Sequence, residues 1–260
     1  MQADGPPHFE VKLAETDAER RAAQRLRYRV FIQELGGTGP MVDHEAGLEQ
    51  DRFDAYFDHL ILTDATLDCP PEDRVIGVYR LLRDDQARIA GQFYSEDEYD
   101  LTPLRNSGRR LLELGRSCVD PRYRGGEAMY HLWQGLAKYV ADHGIEVLFG
   151  VASFHGTDIE ALAQPLSLLH HRHLAPEALR ARAQPAHFQC MNLVPLDEID
   201  RLAAMLQVPA LIKAYLRLGG YVGEGAFVDQ AFNTTDVCLI MDTANLNQKR
   251  KGIYSRGLGA

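Results

Sequence analysis

The chain has 260 residues, 45% of them hydrophobic and 25% charged, with 28 Lys and Arg against 37 Asp and Glu for a formal net charge of −9. That composition excludes collagen-like, mucin-like and mostly disordered chains, and a chain this long buries roughly 70–75% of its unfolded surface without help from disulfides or metal. The acidic balance excludes a protein that works by coating nucleic acid or anionic lipid.

Residues Phe9–Leu13 read as a short strand. Thr16-Asp17-Ala18-Glu19 has the form of a capping box and opens a helix to about Gln33, with Ala22, Leu26 and Val30 on one face. Gly36-Gly37-Thr38-Gly39-Pro40 ends it and begins an acidic loop through Asp54. His59–Thr63 and Arg74–Leu82 read as strands; a polar loop follows, and Leu111–Val119 is the next strand. Met129, Leu132, Trp133, Leu136 and Val140 recur at helical spacing within Glu127–His143, and Val147–Ser153 is a buried strand after Gly144. Helices are expected near Asp158–His170, Glu198–Leu206 and Pro209–Leu218, then strands near Ala226–Asp229 and Asp236–Met241. This order describes a mixed α/β sheet with helices on both faces. No linker divides it, so one domain over 1–260 is expected: core motifs in 8–155, a C-terminal part 156–245 packed on them, and a basic tail 246–260.

Cys69, Cys118, Cys190 and Cys238 lack CxxC spacing and read as free thiols in a reducing cytosol. Met1–Pro7 has neither the basic start nor the apolar core of a signal peptide, and no apolar run approaches the ~20 residues of a bilayer span. A cytoplasmic protein is expected, at most peripheral to the inner face of a membrane. The helix near Pro209–Leu218, with Lys213 and Arg217, offers Leu211, Ile212 and Tyr215 to a core or to a bilayer.

GxGxxG, GxxxxGK[ST], GxSxG and HExxH are all absent, which removes the main support for dinucleotide binding, P-loop hydrolysis and zinc proteolysis. His170-His171-Arg172-His173 lacks ligand spacing, so no metal is expected. More informative is Glu113 on an otherwise apolar strand, because a buried carboxylate needs an ion pair or a function to justify its desolvation. Just downstream, Arg122-Tyr123-Arg124-Gly125-Gly126 opens a helix, an arrangement suited to phosphate. Together these features suggest group transfer from a phosphate-bearing carrier.

At these residues the sequence resembles the N-acyltransferase fold shared by GNAT acetyltransferases and acyl-homoserine-lactone synthases, which implies a GNAT-like mixed central sheet flanked by helices. Arg122-x-x-Gly125 matches the acetyl-CoA loop, while Glu127 stands where a small residue is usual; that departure suits a carrier with less phosphate to hold. Leu26-Arg27-Tyr28-Arg29-Val30-Phe31, Glu49-x-Asp51-x-Phe53-Asp54, Gly77-x-x-Arg80-Leu81-Leu82 and Glu113-x-x-Arg116 follow the order of the lactone-synthase pattern. His59-Leu60, Phe93-Tyr94-Ser95-Glu96, Glu113–Val119 and Phe232-Asn233-Thr234-Thr235-Asp236 look closer to the L-ornithine Nα-acyltransferases of aminolipid synthesis, a resemblance covering about residues 20–245.

The resemblance implies transfer of a 3-hydroxyacyl chain from acyl carrier protein to the α-amino group of a free amino acid, ornithine by default, making a lyso-aminolipid. The 4′-phosphopantetheine thioester is then a co-substrate, with no tightly bound cofactor and no nucleic-acid partner. Glu113 becomes the general base for the acceptor ammonium. Arg27, Phe31, Asp51, Asp54, Arg80 and Arg116 match the acceptor-side cluster: Arg80 or Arg116 as a fork for the acceptor carboxylate, Asp51 and Asp54 ordering the loop or attracting cations, and Arg80–Asp54 alternatively a structural pair. Backbone N–H groups at Cys118 and Val119, with Arg122, Arg124, Gly125 and Gly126, would receive the pantetheine and polarise the thioester. Cys118 itself reads as a small core residue, and core packing is also the plain reading of Phe31, Phe53 and Trp133. Ser153 and His155 could protonate the leaving thiolate. The rivals are a lactone synthase using S-adenosylmethionine, whose family tryptophan after the first helix is missing around Gly36-Gly37, and a non-catalytic lipid- or carrier-binding module.

Charge is also uneven. Arg105, Arg109, Arg110, Arg116, Arg122 and Arg124 face only Glu113 and Asp120 within 105–124, a local +4 on a remainder of −13. This predicts a basic docking face for one small acidic partner.

Overall fold

The structure, a computed structural model, describes residues 6–125, 127–230 and 232–245. In chain order its elements are β1 (Phe9–Leu13), α1 (Asp17–Arg27), β2 (Asp58–Asp64), β3 (Val75–Arg83), α2 (Asp84–Ala90), β4 (Tyr99–Asp100), α3 (Thr102–Asn106), β5 (Leu111–Val119), α4 (Ala128–His143), β6 (Val147–His155), α5 (Ala163–His173), β7 (Arg182–Ala183), β8 (Phe188–Gln189), α6 (Arg201–Gln207), α7 (Ala210–Arg217), β9 (Tyr221–Val222), β10 (Ala226–Asp229) and β11 (Thr234–Asp242). They form two compact units. The first takes the residues up to Ala90 with Leu114–Gly144, the second Gly91–Glu113 with the residues from Ile145 on, so the division falls within β5.

In the first unit, the Thr16 hydroxyl accepts from Glu19 N–H and the Glu19 carboxylate from Thr16 N–H, satisfying two orphan donors at the start of α1. Ala22, Ala23 and Leu26 of α1 pack with Val30, Ile61, Val75, Val78 and Cys118. The predicted helix to Gln33 changes character at Tyr28, where it widens into a π-helical segment through Glu34, and Leu35 N–H reaches back to Val30 O at 3.1 Å. β1, β2 and β3 pair antiparallel in sequence order. Every residue from Val75 to Leu82 is buried, Arg80 included. α4 lies close on this layer because Gly135 and Gly77 lack side chains: a β-carbon on Gly135 would stand 2.3 Å from Val11 Cγ1, and one on Gly77 2.9 Å from Leu132 Cδ1. Gly144, at φ 60°, closes α4 in the left-handed conformation. α2 falls where only a polar loop was expected; its first-turn Asp84 pairs with Arg88 one turn on.

In the second unit, β5 runs parallel to β6 over Leu111–Glu113 against Val147–Phe149, and β6 then pairs antiparallel with β11 from Thr234↔His155 to Asp242↔Val147. β11 also pairs with β10 and β9, and β10 with β8, all antiparallel. Two helices begin later than their periodicity suggested, and each has a polar cause. Asp158 accepts from Glu160 and Ala161 N–H, holding a turn ahead of α5. Asp200 caps α6 by accepting from Leu202 and Ala203 N–H. α7 buries Ile212 and Tyr215, so that part of its apolar face serves the core.

Candidate active site

The loop before β2 and the neighbouring strands bring six charged side chains together in the first unit. Arg27, at the end of α1, and Arg80, inside β3, are both 0% exposed. Asp54 lies between them: Oδ1 accepts from Arg27 Nη1 and Arg80 Nη1, each at 2.7 Å, and Oδ2 from Arg27 Nη2 at 3.2 Å and Gln24 Nε2 at 3.1 Å. Arg80 Nη1 also donates to Asp51 Oδ2 at 2.7 Å, and its guanidinium lies 4.3 Å from the Phe57 ring centre. Glu49 takes hydrogen bonds from Arg27 through Oε2 and from Arg116 Nε through Oε1 at 3.1 Å. Three arginines thus face three carboxylates, which is how so much charge is tolerated under cover.

Burial pushes the Asp54 carboxyl up, but the Arg27 and Arg80 guanidiniums outweigh it and hold the group well below the usual carboxylate range. Glu49 is also lowered, its burial overcome by Arg27, Arg116 and Arg80. His59, on β2 and paired in register with Arg80, has an Nε2 3.1 Å from Asp54 O. Burial lowers its pKa, with Asp54 opposing. A neutral ring donating Nε2–H to that carbonyl fits both facts.

Arg116 and Asp51 are the members of this cluster that reach solvent, with side chains 19% and 20% exposed and a closest approach of 3.9 Å. Arg116 takes φ 49°, a left-handed conformation rare for a residue with a β-carbon, and its guanidinium lies 5.8 Å from the Phe31 ring centre. Phe31 sits on the π-helical segment, packed against the α1 core. Arg27, Phe31, Asp51, Asp54, Arg80 and Arg116 therefore meet. Glu49 and His59, read from sequence only as parts of a pattern, belong with them; the signal for Glu49 was its place two residues before Asp51.

Cys118 and Val119 end β5, both buried, and burial pushes the Cys118 thiol up to about 12. Arg122 is turned back onto Asp120 through Nε and Nη2, both at 3.0 Å. Arg124 pairs with Glu34 and donates Nε–H to Val119 O at 3.0 Å. Gly125, at φ 77°, makes the turn toward α4. Gly126 and the basic tail lie outside the described residues.

Glu113 and Ser153 belong to the second unit. Glu113 is 1% exposed, and its carboxylate accepts from Tyr94 N–H at 2.8 Å, Ser95 N–H at 2.7 Å and the Ser95 hydroxyl. These donors account for the Phe93–Glu96 motif: a tight turn over Tyr94–Asp97 directs its N–H groups at the strand carboxylate. Ser153 is exposed on β6, opposite Asp236 of β11. Arg105 pairs with Glu96 and Arg109 with Asp242, so these charges of the basic run are also met within the unit. Among the described residues no helix is long and apolar enough to cross a membrane.

A family model for the acetyltransferase (GNAT) domain matches residues 26–134, the span that carries the charged cluster, β5 and the start of α4. The chain is 61% identical to an L-ornithine N(alpha)-acyltransferase of Rhodobacter capsulatus over 98% of its own length and 97% of that protein's. It is 43% identical to the same-named protein of Brucella abortus, covering 95% of this chain and 88% of that one. The chain belongs to the L-ornithine N(alpha)-acyltransferase family. It is an acyltransferase with a GNAT-like fold. A CoA-dependent acyl-homoserine lactone synthase, BjaI, solved with SAM and isopentyl-CoA, is similar in fold, with a TM-score of 0.52 at 13% identity over 98% of this chain and 90% of that one.

Proposed function

We propose that the protein transfers a 3-hydroxyacyl chain from the 4′-phosphopantetheine thioester of acyl carrier protein to the α-amino group of ornithine, releasing a lyso-aminolipid and the carrier thiol. The observation that carries this reading is the pair of solvent-reaching opposite charges, Arg116 and Asp51, on a cluster otherwise buried and internally compensated. A free amino acid is a zwitterion, and such a pair matches it: Arg116 as a planar fork for the α-carboxylate, Asp51 for an ammonium. Arg27, Arg80, Asp54 and Glu49 pair with one another and form the base under that pair, Arg80 holding Asp51 and Glu49 holding Arg116 from below.

Ornithine as acceptor is supported by the names of the relatives. In this reading Gly115–Val119 receives the thioester, and Arg122, Arg124 and Gly125 lie along the carrier's approach. Glu113 is the base that takes the ammonium proton, ordered for that task by the turn at Tyr94–Asp97. Ser153 serves the leaving thiolate. The reaction belongs in the cytoplasm, beside the membrane that takes up its amphiphilic product.

The test is to incubate the purified protein with 3-hydroxyacyl carrier protein and a panel of amino acids, and to read the products by mass spectrometry. Amide formation with ornithine is expected, with Arg116→Ala raising the KM for ornithine and Glu113→Gln lowering kcat across pH 6–9. No amide with any amino acid would overturn the proposal. Lactone formation with S-adenosylmethionine alone would identify a lactone synthase instead.

A further inference from the structure

Between buried Leu114 and buried Cys118, β5 has three successive half-buried residues, Gly115, Arg116 and Ser117. A regular strand alternates its faces residue by residue, so alternation is suspended here, at the point where Arg116 turns left-handed. Conformations of that kind collect at functional sites, because only a surrounding that over-determines them keeps them. A second observation is independent of the backbone. The Ser117 Oγ is buried, yet has no hydrogen-bond partner among the described residues. A hydroxyl is a donor as well as an acceptor, and a donor left unused away from water brings no structural return.

We infer that Ser117 is a catalytic residue whose Oγ–H donates to the thioester carbonyl oxygen as that oxygen gains negative charge. The inference rests on Gly115–Val119 being the strand that receives the thioester. The acceptor's amine nitrogen bonds to the thioester carbon, and the carbonyl π electrons move to oxygen. Collapse of that oxyanion re-forms the carbonyl and breaks the carbon–sulfur bond. Sulfur leaves with the bonding pair and takes up one proton. The acceptor ammonium loses two on becoming an amide, of which one is matched by the thiol and the other passes through the base to solvent. Ser117 keeps its own proton throughout and contributes only a hydrogen bond that strengthens with the charge. Adjacent residues of one strand then hold the two reactants, Arg116 the acceptor through its carboxylate and Ser117 the donor through its carbonyl.

The test compares full-length wild type, Ser117→Ala and Ser117→Cys, using 3-hydroxyacyl carrier protein and ornithine, with kcat, KM and thermal midpoint measured for each. Ser117→Ala is expected to lower kcat by roughly 10²-fold, the usual cost of one oxyanion donor. Its KM for ornithine and its thermal midpoint should hold or, for the midpoint, rise, because a methyl replaces an unused polar atom. Ser117→Cys, a weak donor of similar size, should fall between the two and keeps the test decisive if the alanine variant folds poorly. An Ala or Cys variant that folds and turns over within about threefold of wild type would overturn the inference while leaving the acyltransferase reading intact. Wild type that forms no amide from any pairing would overturn both.

Discussion

Removing the Asp54 carboxylate strikes the point where most of the buried charge converges. Asp54→Ala takes away the acceptor for two Arg27 nitrogens, one Arg80 nitrogen and the Gln24 amide. It leaves two guanidiniums that are 0% exposed sharing the remaining acids, Glu49 and Asp51. Breaking a buried pair by deleting one partner costs about 3–5 kcal/mol, far above the 0–1 kcal/mol of an exposed pair. At about 2–4 °C per kcal/mol for a chain of this size, the thermal midpoint should fall by about 6–20 °C at pH 7. Asp54→Asn keeps the shape and should lose less, but still shows a penalty, because an amide N–H₂ must face existing donors. The pH dependence gives a second check. The folded carboxyl is held below its ordinary value, so its contribution is present above the usual carboxylate range and disappears as pH falls through and below it. The gap between wild type and Asp54→Asn should therefore be widest near neutrality and begin to narrow as pH falls below about 4 in a series of thermal melts. A loss under about 1 kcal/mol at pH 7, or a gap that widens on acidification, would refute the account of this cluster.

Other consequences are equally measurable. His59 is held neutral by burial, with its folded pKa below the ordinary one, so it contributes stability above the ordinary imidazole range that is lost as pH falls through it; a His59→Asn series should show a smaller fall in thermal midpoint between pH 7 and 5 than wild type. Gly135→Ala adds helix propensity worth about 1 kcal/mol, yet drives a methyl to 2.3 Å from Val11 Cγ1; net destabilisation by about 1–3 kcal/mol is expected, and Val11→Ala in the same chain should relieve most of it. Native protein treated with a thiol reagent at pH 8 should modify exposed Cys190 before buried Cys118, whose thiol stays protonated, and Cys118→Ala should keep its turnover.

What could be read from residues alone depended on how local the deciding physics was. β1, β5 and β10 stand at the bounds that their patterns predicted, because alternation and flanking turn residues act within a few positions. The starts of α5 and α6 shifted because Asp158 holds a separate turn ahead of α5 and Asp200 caps α6, so that both helices start later than the apolar spacing began. The charged cluster was visible as separate fragments, but no spacing rule reports that Asp54 touches both Arg27 and Arg80. The turn that grips Glu113 was likewise invisible, since its contribution is two backbone N–H groups and one hydroxyl. The local +4 of residues 105–124 is a property of the segment only, because Arg105, Arg109, Arg116 and Arg124 find Glu96, Asp242, Glu49 and Glu34 elsewhere in their own units, while Arg122 turns onto Asp120 within it.

Those internal pairs change what it means for an acidic molecule to land on this protein. Arg122 and Arg124 are exposed but already engaged, with Asp120 and Glu34. An incoming carboxylate or phosphate must therefore compete for them, and each arginine it captures releases a carboxylate of like charge to the visitor. Association becomes a swap of ion pairs, in which the net number of contacts formed stays near constant. Such a surface discriminates by geometry, favouring a partner whose anions reach both guanidiniums without crowding Asp120 or Glu34. Its affinity should also fall with added salt less steeply than the count of arginines alone would suggest.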